Sequence, residues 1–93
     1  SGPAVHPVAV KLVWEAARAV SIPVIGMGGI TGAAEALEFL IVGARAVAVG
    51  TANFMDPCTA VRVVDGIADY MHAHGLRRMA DLTGSLEAGR EGA

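Results

Sequence analysis

Two short apolar runs, Ile22-Pro23-Val24-Ile25 and Ala46-Val47-Ala48-Val49, lack the polar–apolar alternation of a half-exposed strand, and each runs into a glycine. A non-alternating run of this length needs cover on both faces, which is the setting of a parallel strand in an α/β protein. Pro23 falls at the opening of the first run, where a missing N–H costs least. Between the runs, Ala33, Leu37, Leu40, Ile41 and Ala44 recur at helical spacing, with Thr31 as a candidate N-cap and Gly43 permitting a left-handed turn at the end. The unit is therefore strand, helix, strand. Just past each run, Gly28-Gly29 and Gly50-Thr51 let backbone N–H groups face outward, a geometry that suits an anion.

The flanks extend this order. Pro7 followed by Ala9, Val13, Ala16 and Val20 predicts a helix over residues 7–20 with one apolar face. Asp56-Pro57 is a cap-then-first-residue signal for a third helix that carries Ala60, Val64, Ile67 and Met71 inward and ends at Gly75, with Gly66 weakening it slightly. Residues 76–82 are expected to form one further short turn. Residues 1–82 are expected to form the ordered part, with 83–93 a flexible tail. Repeated strand-then-helix order implies a parallel sheet with right-handed crossovers, in either a doubly wound sheet or a (β/α)8 barrel. A dinucleotide fingerprint needs a glycine triplet at one turn and an acidic residue at the end of the next strand. Here each of two successive strands ends in its own small motif, and the second has no Asp or Glu. Barrels commonly build a phosphate site from the loops after strands seven and eight with a short extra helix. Gly28-Gly29, Gly50-Thr51 and the stretch 52–55 fit those three parts. The predicted fold is the C-terminal portion of a (β/α)8 TIM barrel, its last two parallel strands with three helices, since a whole barrel takes about 250 residues.

Composition narrows the function. Of 93 residues, 54% are hydrophobic and 17% charged, more apolar surface than two strands and three helices readily hide, so part of the surface is expected to be covered by something else. A net charge of −2, with only Arg77-Arg78 adjacent among the basic residues, argues against a nucleic-acid partner. No apolar stretch has the length of a membrane span and none reads as a signal peptide, so a soluble, cytoplasmic chain is expected. Cys58 stands alone, which rules out an internal disulfide and leaves no cysteine pair for a metal.

The ordered set Ser1-Gly2-Pro3-Ala4, His6-Pro7-Val8-Ala9, Ile22-Pro23-Val24-Ile25-Gly26-Met27-Gly28-Gly29-Ile30, Ala36-Leu37-Glu38-Phe39-Leu40, Gly43-Ala44 and Val49-Gly50-Thr51-Ala52-Asn53-Phe54 resembles the flavin-dependent dihydroorotate dehydrogenases, in particular the class 1 subgroup that passes electrons to NAD. The likeness covers residues 1–82. It implies that Gly2, Gly28, Gly29, Gly50 and Thr51 contact flavin mononucleotide (FMN), with the last four holding its phosphate through backbone N–H groups and Gly2 near the flavin ring. It also implies oxidation of dihydroorotate to orotate in pyrimidine biosynthesis. In the family the flavin accepts a hydride from C6 while a loop cysteine on an earlier strand takes the C5 proton, so this segment by itself is expected to be inactive. A homodimeric catalytic subunit joined by an iron–sulfur and FAD subunit is the partner arrangement implied.

Other residues invite plainer readings. Cys58, at the start of the third helix, lies outside the family's catalytic loop and reads as an ordinary thiol. His72 and His74, two apart on a helix, face different ways and make a poor metal pair. His6 reads as an exposed loop histidine beside Gly2. Trp14 and Tyr70 read as packing or interface residues, Glu15, Arg18, Glu35 and Glu38 as solvated helix-face charges, and Asn53 and Phe54 as packing beneath the short helix after the phosphate grip rather than as its support. Two alternatives remain open: a barrel that uses the same grip for another phosphorylated ligand without flavin, and a self-associating partial barrel without activity.

Overall fold

The computed structural model of the chain describes residues 5–50 and 56–86. Among these the order is α1 (His6–Ala19), β1 (Ile25–Met27), α2 (Ala33–Val42), β2 (Ala46–Ala48), α3 (Thr59–Ala73) and α4 (Met79–Leu82). Strands β1 and β2 pair in parallel, with Ile25 opposite Ala46, Gly26 opposite Val47 and Met27 opposite Ala48. Helix α2 is the crossover, packing on both strands and against α1 and α3. These are two adjacent strand–helix units of a (β/α)8 barrel with the helix that precedes them.

Strand β1 begins at Ile25, later than the run from Ile22 suggests, and continues through Met27. Its cover also differs from expectation. Gly26 is buried, whereas Ile25 and Met27 are 62% and 63% exposed, because the helices all lie on one side of the two strands. The uncovered face is the one that points into a closed barrel.

The core forms where α2 crosses the sheet. Ala36 and Phe39 are buried on its inner face, joined by Val13 from α1, Ile30, Ala44 and Val63 from α3. Burying one such large side chain contributes roughly 1.5–3 kcal/mol. Close approach is bought with small residues: a Cβ on Gly26 would lie 2.5 Å from Phe39 Cγ, so the aromatic ring rests directly on the backbone of β1. Gly66 does the same for α3. A Cβ there would fall 2.2 Å from the Ala33 Cβ, so this glycine sets the α2–α3 distance and does more than weaken its helix.

Helix α3 is rotated from the expected phase. Thr59 and Val63 are buried and Ile67 packs on the core, while Val64 is 64% exposed. Its start is also set differently, because the Asp56 carboxylate accepts from the Cys58 N–H at 3.0 Å and from Arg62 at 2.7 Å, and the helix begins at Thr59. At the far end Leu82 is fully buried, and the Gly84 N–H donates to the Leu40 carbonyl at 2.9 Å, tying the segment after α4 onto the central helix. Residues 87–93 lie outside the described residues. No described helix is long and apolar enough to cross a membrane.

Candidate functional site

The parallel register determines what stands at the C-terminal end of the sheet. Beyond the last pair, Met27 and Ala48, β1 runs into Gly28-Gly29 and β2 into Val49-Gly50. Three of the glycines singled out from sequence thus leave adjacent strands at the same end. Gly2 and Thr51, and the stretch 52–55 with Asn53 and Phe54, lie outside the described residues.

Gly28 and Gly29 have φ of +115° and +72°. Two consecutive positive φ values form a turn that L-residues with side chains rarely adopt, and they bend the chain away from the strand before α2 begins. Space is not the constraint at Gly28, where a Cβ would meet the Ala9 Cβ at an ordinary 3.5 Å. Gly50 is exposed, its φ is not positive, and a Cβ there would have open space among the described residues. Neither backbone conformation nor packing against the described residues calls for glycine at position 50. Outside helices and strands, none of the described backbone hydrogen bonds is donated by Gly28, Gly29 or Gly50.

Helix α2 starts just beyond, at Ala33 after Gly32, with its N-terminal amides at the same end of the sheet. The N-cap is Gly32, not Thr31, and no side chain caps it. Thr31 acts in the reverse sense. Its hydroxyl and its N–H donate to Glu35 Oε1 at 2.7 and 3.1 Å, because the carboxylate one turn into α2 reaches back over the helix start. The Thr31 hydroxyl in particular holds the Glu35 carboxyl below its ordinary value, against a smaller opposing effect of burial. Glu35 is thus a structural brace on the loop that leaves Gly29.

His6 corrects a second expectation. It is the first residue of α1, only 6% exposed, with its ring edge-on to Phe39 at 4.8 Å and 81°. Nδ1 lies 2.7 Å from the Gly28 carbonyl oxygen, and Nε2 is 3.7 Å from Glu38 Oε2. The signal for this burial is in the sequence: His6, Val10 and Val13 extend the apolar stripe of α1 by one turn upstream of Pro7.

The remaining polar candidates lie elsewhere. Cys58 is exposed ahead of α3. His74 stacks on Tyr70 at 4.0 Å with Nδ1 near the Tyr70 carbonyl, and Arg18 lies over the Trp14 ring at 4.7 Å. Among the described residues no group of three His, Cys, Asp or Glu comes together in the manner of a metal site. The donor set at the sheet end fits a phosphate: backbone amides on glycines that leave room for a bulky anion.

Comparison with known proteins agrees on one family. Residues 1–71 match the family described as dihydroorotate dehydrogenase. Similar curated proteins include the catalytic subunits of dihydroorotate dehydrogenase B (NAD(+)) from Bacteroides fragilis, 49% identical over 87 residues, and from Porphyromonas gingivalis, 52% identical over 86 residues. These alignments take in 94% and 92% of this chain but 29% and 28% of the relatives, so the chain spans under a third of their length. Among solved structures, a dihydroorotate dehydrogenase from Eimeria tenella in complex with ferulenol superposes with a TM-score of 0.86 at 26% identity, over 94% of this chain and 24% of that one.

Proposed function

The chain belongs to the dihydroorotate dehydrogenase family, and from that premise we propose that it is the phosphate-binding part of an FMN-dependent catalytic subunit that oxidises dihydroorotate to orotate in pyrimidine biosynthesis. The observation that carries the reading is the meeting of the positive-φ pair Gly28-Gly29 with Gly50 at one end of two neighbouring parallel strands. Backbone N–H groups at Gly28, Gly29, Gly50 and Thr51 hold the FMN phosphate, and Gly2 borders the flavin ring. Each such charge-assisted hydrogen bond is worth roughly 1.5–3 kcal/mol, so four of them retain a phosphate dianion without a lysine or arginine in contact. Helix α2 adds its N-terminal dipole.

When bound, FMN supplies the hydride acceptor for the oxidation. This chain's own residues bind and orient it: the glycines leave room for the phosphate, and the Thr31–Glu35 brace holds the loop between Gly29 and α2. No residue of this chain is assigned as the proton acceptor. The likeness to B-type catalytic subunits supports a homodimer joined by an iron–sulfur and FAD subunit that relays electrons to NAD, acting in the cytoplasm.

The test uses the intact polypeptide that carries this chain. Purified protein is expected to show flavin absorbance bands, to release FMN on acid extraction, and to lose its yellow colour anaerobically on addition of dihydroorotate. A colourless protein that instead retains a sugar phosphate would establish the other phosphate-binding reading. Colour that dihydroorotate does not bleach would refute the substrate assignment.

A further inference from the structure

We infer that His6 is a positioning residue for the phosphate grip: its ring fixes the Gly28 carbonyl and so aims the Gly29 N–H at the anion. The inference rests on the phosphate reading above and adds the residue that sets the direction of one donor. A carbonyl oxygen only accepts, so Nδ1 of His6, 2.7 Å from it, carries the proton and donates. The Gly28–Gly29 peptide is planar and trans, since the described residues hold no cis bond, and its C=O and N–H point in opposite directions. Holding the oxygen toward the first turn of α1 therefore turns the Gly29 N–H away from α1.

That peptide needs a clamp. It lies between two glycines, the one pairing for which a peptide plane rotates with least steric resistance. An amide that turns freely would have to be ordered anew each time an anion binds, whereas one held in place binds without that cost. The clamp is itself immobile. The ring is buried against fully buried Phe39, and Pro7 stiffens the helix start that carries it.

A packing role alone does not account for histidine here. Nε2 is buried and has no hydrogen-bond partner among the described residues, with Glu38 Oε2 still 3.7 Å away. An unpaired buried nitrogen is costly, and a side chain chosen only to fill this space beside Phe39 would be better apolar. What the ring does that phenylalanine or leucine does not is donate to Gly28.

The test compares FMN with riboflavin, which lacks the phosphate, for binding to the cofactor-stripped intact polypeptide. In His6→Phe the ring volume stays and the donor is lost, with His6→Leu as the alternative if the larger ring disturbs folding; in His6→Asn a short amide donor replaces Nδ1. Freeing the Gly29 N–H to turn, without removing it, is expected to weaken FMN about tenfold, less than loss of the whole charge-assisted bond, while riboflavin affinity stays within about twofold. His6→Asn should recover most of the FMN affinity. Equal weakening of both ligands, or no loss of FMN affinity in the apolar variant, would overturn the inference and leave the phosphate reading standing. Wild-type protein that binds FMN no better than riboflavin would overturn both.

Discussion

Gly66→Ala tests the packing of α2 on α3 with a definite sign. Gly66 stands inside a helix, where replacing glycine by alanine normally stabilises by about 1 kcal/mol. Here the new methyl would sit 2.2 Å from the Ala33 Cβ, against an ordinary contact of 3.4 Å or more, so the two helices must part locally by at least 3.4 − 2.2 = 1.2 Å. Neither atom can swing aside, because the backbone alone determines where a Cβ lies. Overpacking of a rigid contact costs typically about 1–3 kcal/mol, and the lack of any rotamer escape places this one near the upper end. Subtracting the gain in helix propensity leaves a net loss of about 2 kcal/mol. Ala33→Gly removes the other methyl at the first residue of α2, where propensity matters less than in mid-helix. The double variant is expected within about 1 kcal/mol of wild type, giving a coupling of about 3 kcal/mol, the whole of the clash, in a double-mutant cycle. Denaturant unfolding of the flavin-free intact polypeptide measures all four stabilities without a contribution from bound cofactor. A Gly66→Ala variant more stable than wild type, or two substitutions that simply add, would refute the contact.

Three further outcomes follow from the same geometry. Gly29→Val in the intact polypeptide introduces a β-branched side chain at φ +72° in the phosphate grip, so purified protein should carry much less flavin while keeping its far-UV circular dichroism; full flavin occupancy would remove Gly29 from the site. Thr31→Val deletes the hydroxyl that does most to depress the Glu35 carboxyl. A carboxylate with a lowered folded pKa stabilises above its ordinary value of 4.5 and loses that contribution as pH falls through the lower folded value, so the gap between wild type and Thr31→Val should shrink in acid, and a gap independent of pH would count against the brace. The 93-residue chain by itself exposes Ile22, Ile25 and Met27 beside two strands with open edges, and is expected to associate in light scattering at rising concentration, whereas a monodisperse 9.4 kDa species would contradict that expectation.

The order of elements was legible because parallel strands and amphipathic helices leave different periods. The non-alternating runs located both strands to within a few residues, and the pairing of β1 with β2 follows from the single helix between them. The errors are of phase. Val64 was expected inward and Val63 is the buried residue, since α3 begins at Thr59 once Asp56 turns to accept from Cys58 and Arg62. Strand β1 starts late, at Ile25, and its centre is a glycine that only the proximity of Phe39 explains. Periodicity reports which face of an element is apolar. It says nothing about how near that face stands to its neighbour, and so Gly26 and Gly66 read from sequence as breaks in a pattern when they are points of contact.

The same distinction governs the candidate site. Gly28, Gly29 and Gly50 could be picked out because a grip made of main-chain amides needs residues without side chains, and such residues show in a sequence. What orients those amides could not. His6 and Gly28 are 22 positions apart, and the bond between them exists only because α1 returns its first turn to the end of β1. A backbone site of this kind divides its requirements between two sets of residues. In the proposed grip the glycines allow the peptide planes to face the ligand, and a side chain as distant in sequence as His6 sets which way one of those planes turns. On the proposed reading, a substitution survey confined to the glycine motifs would therefore find the residues that admit the phosphate and miss His6, which holds one donor ready for it.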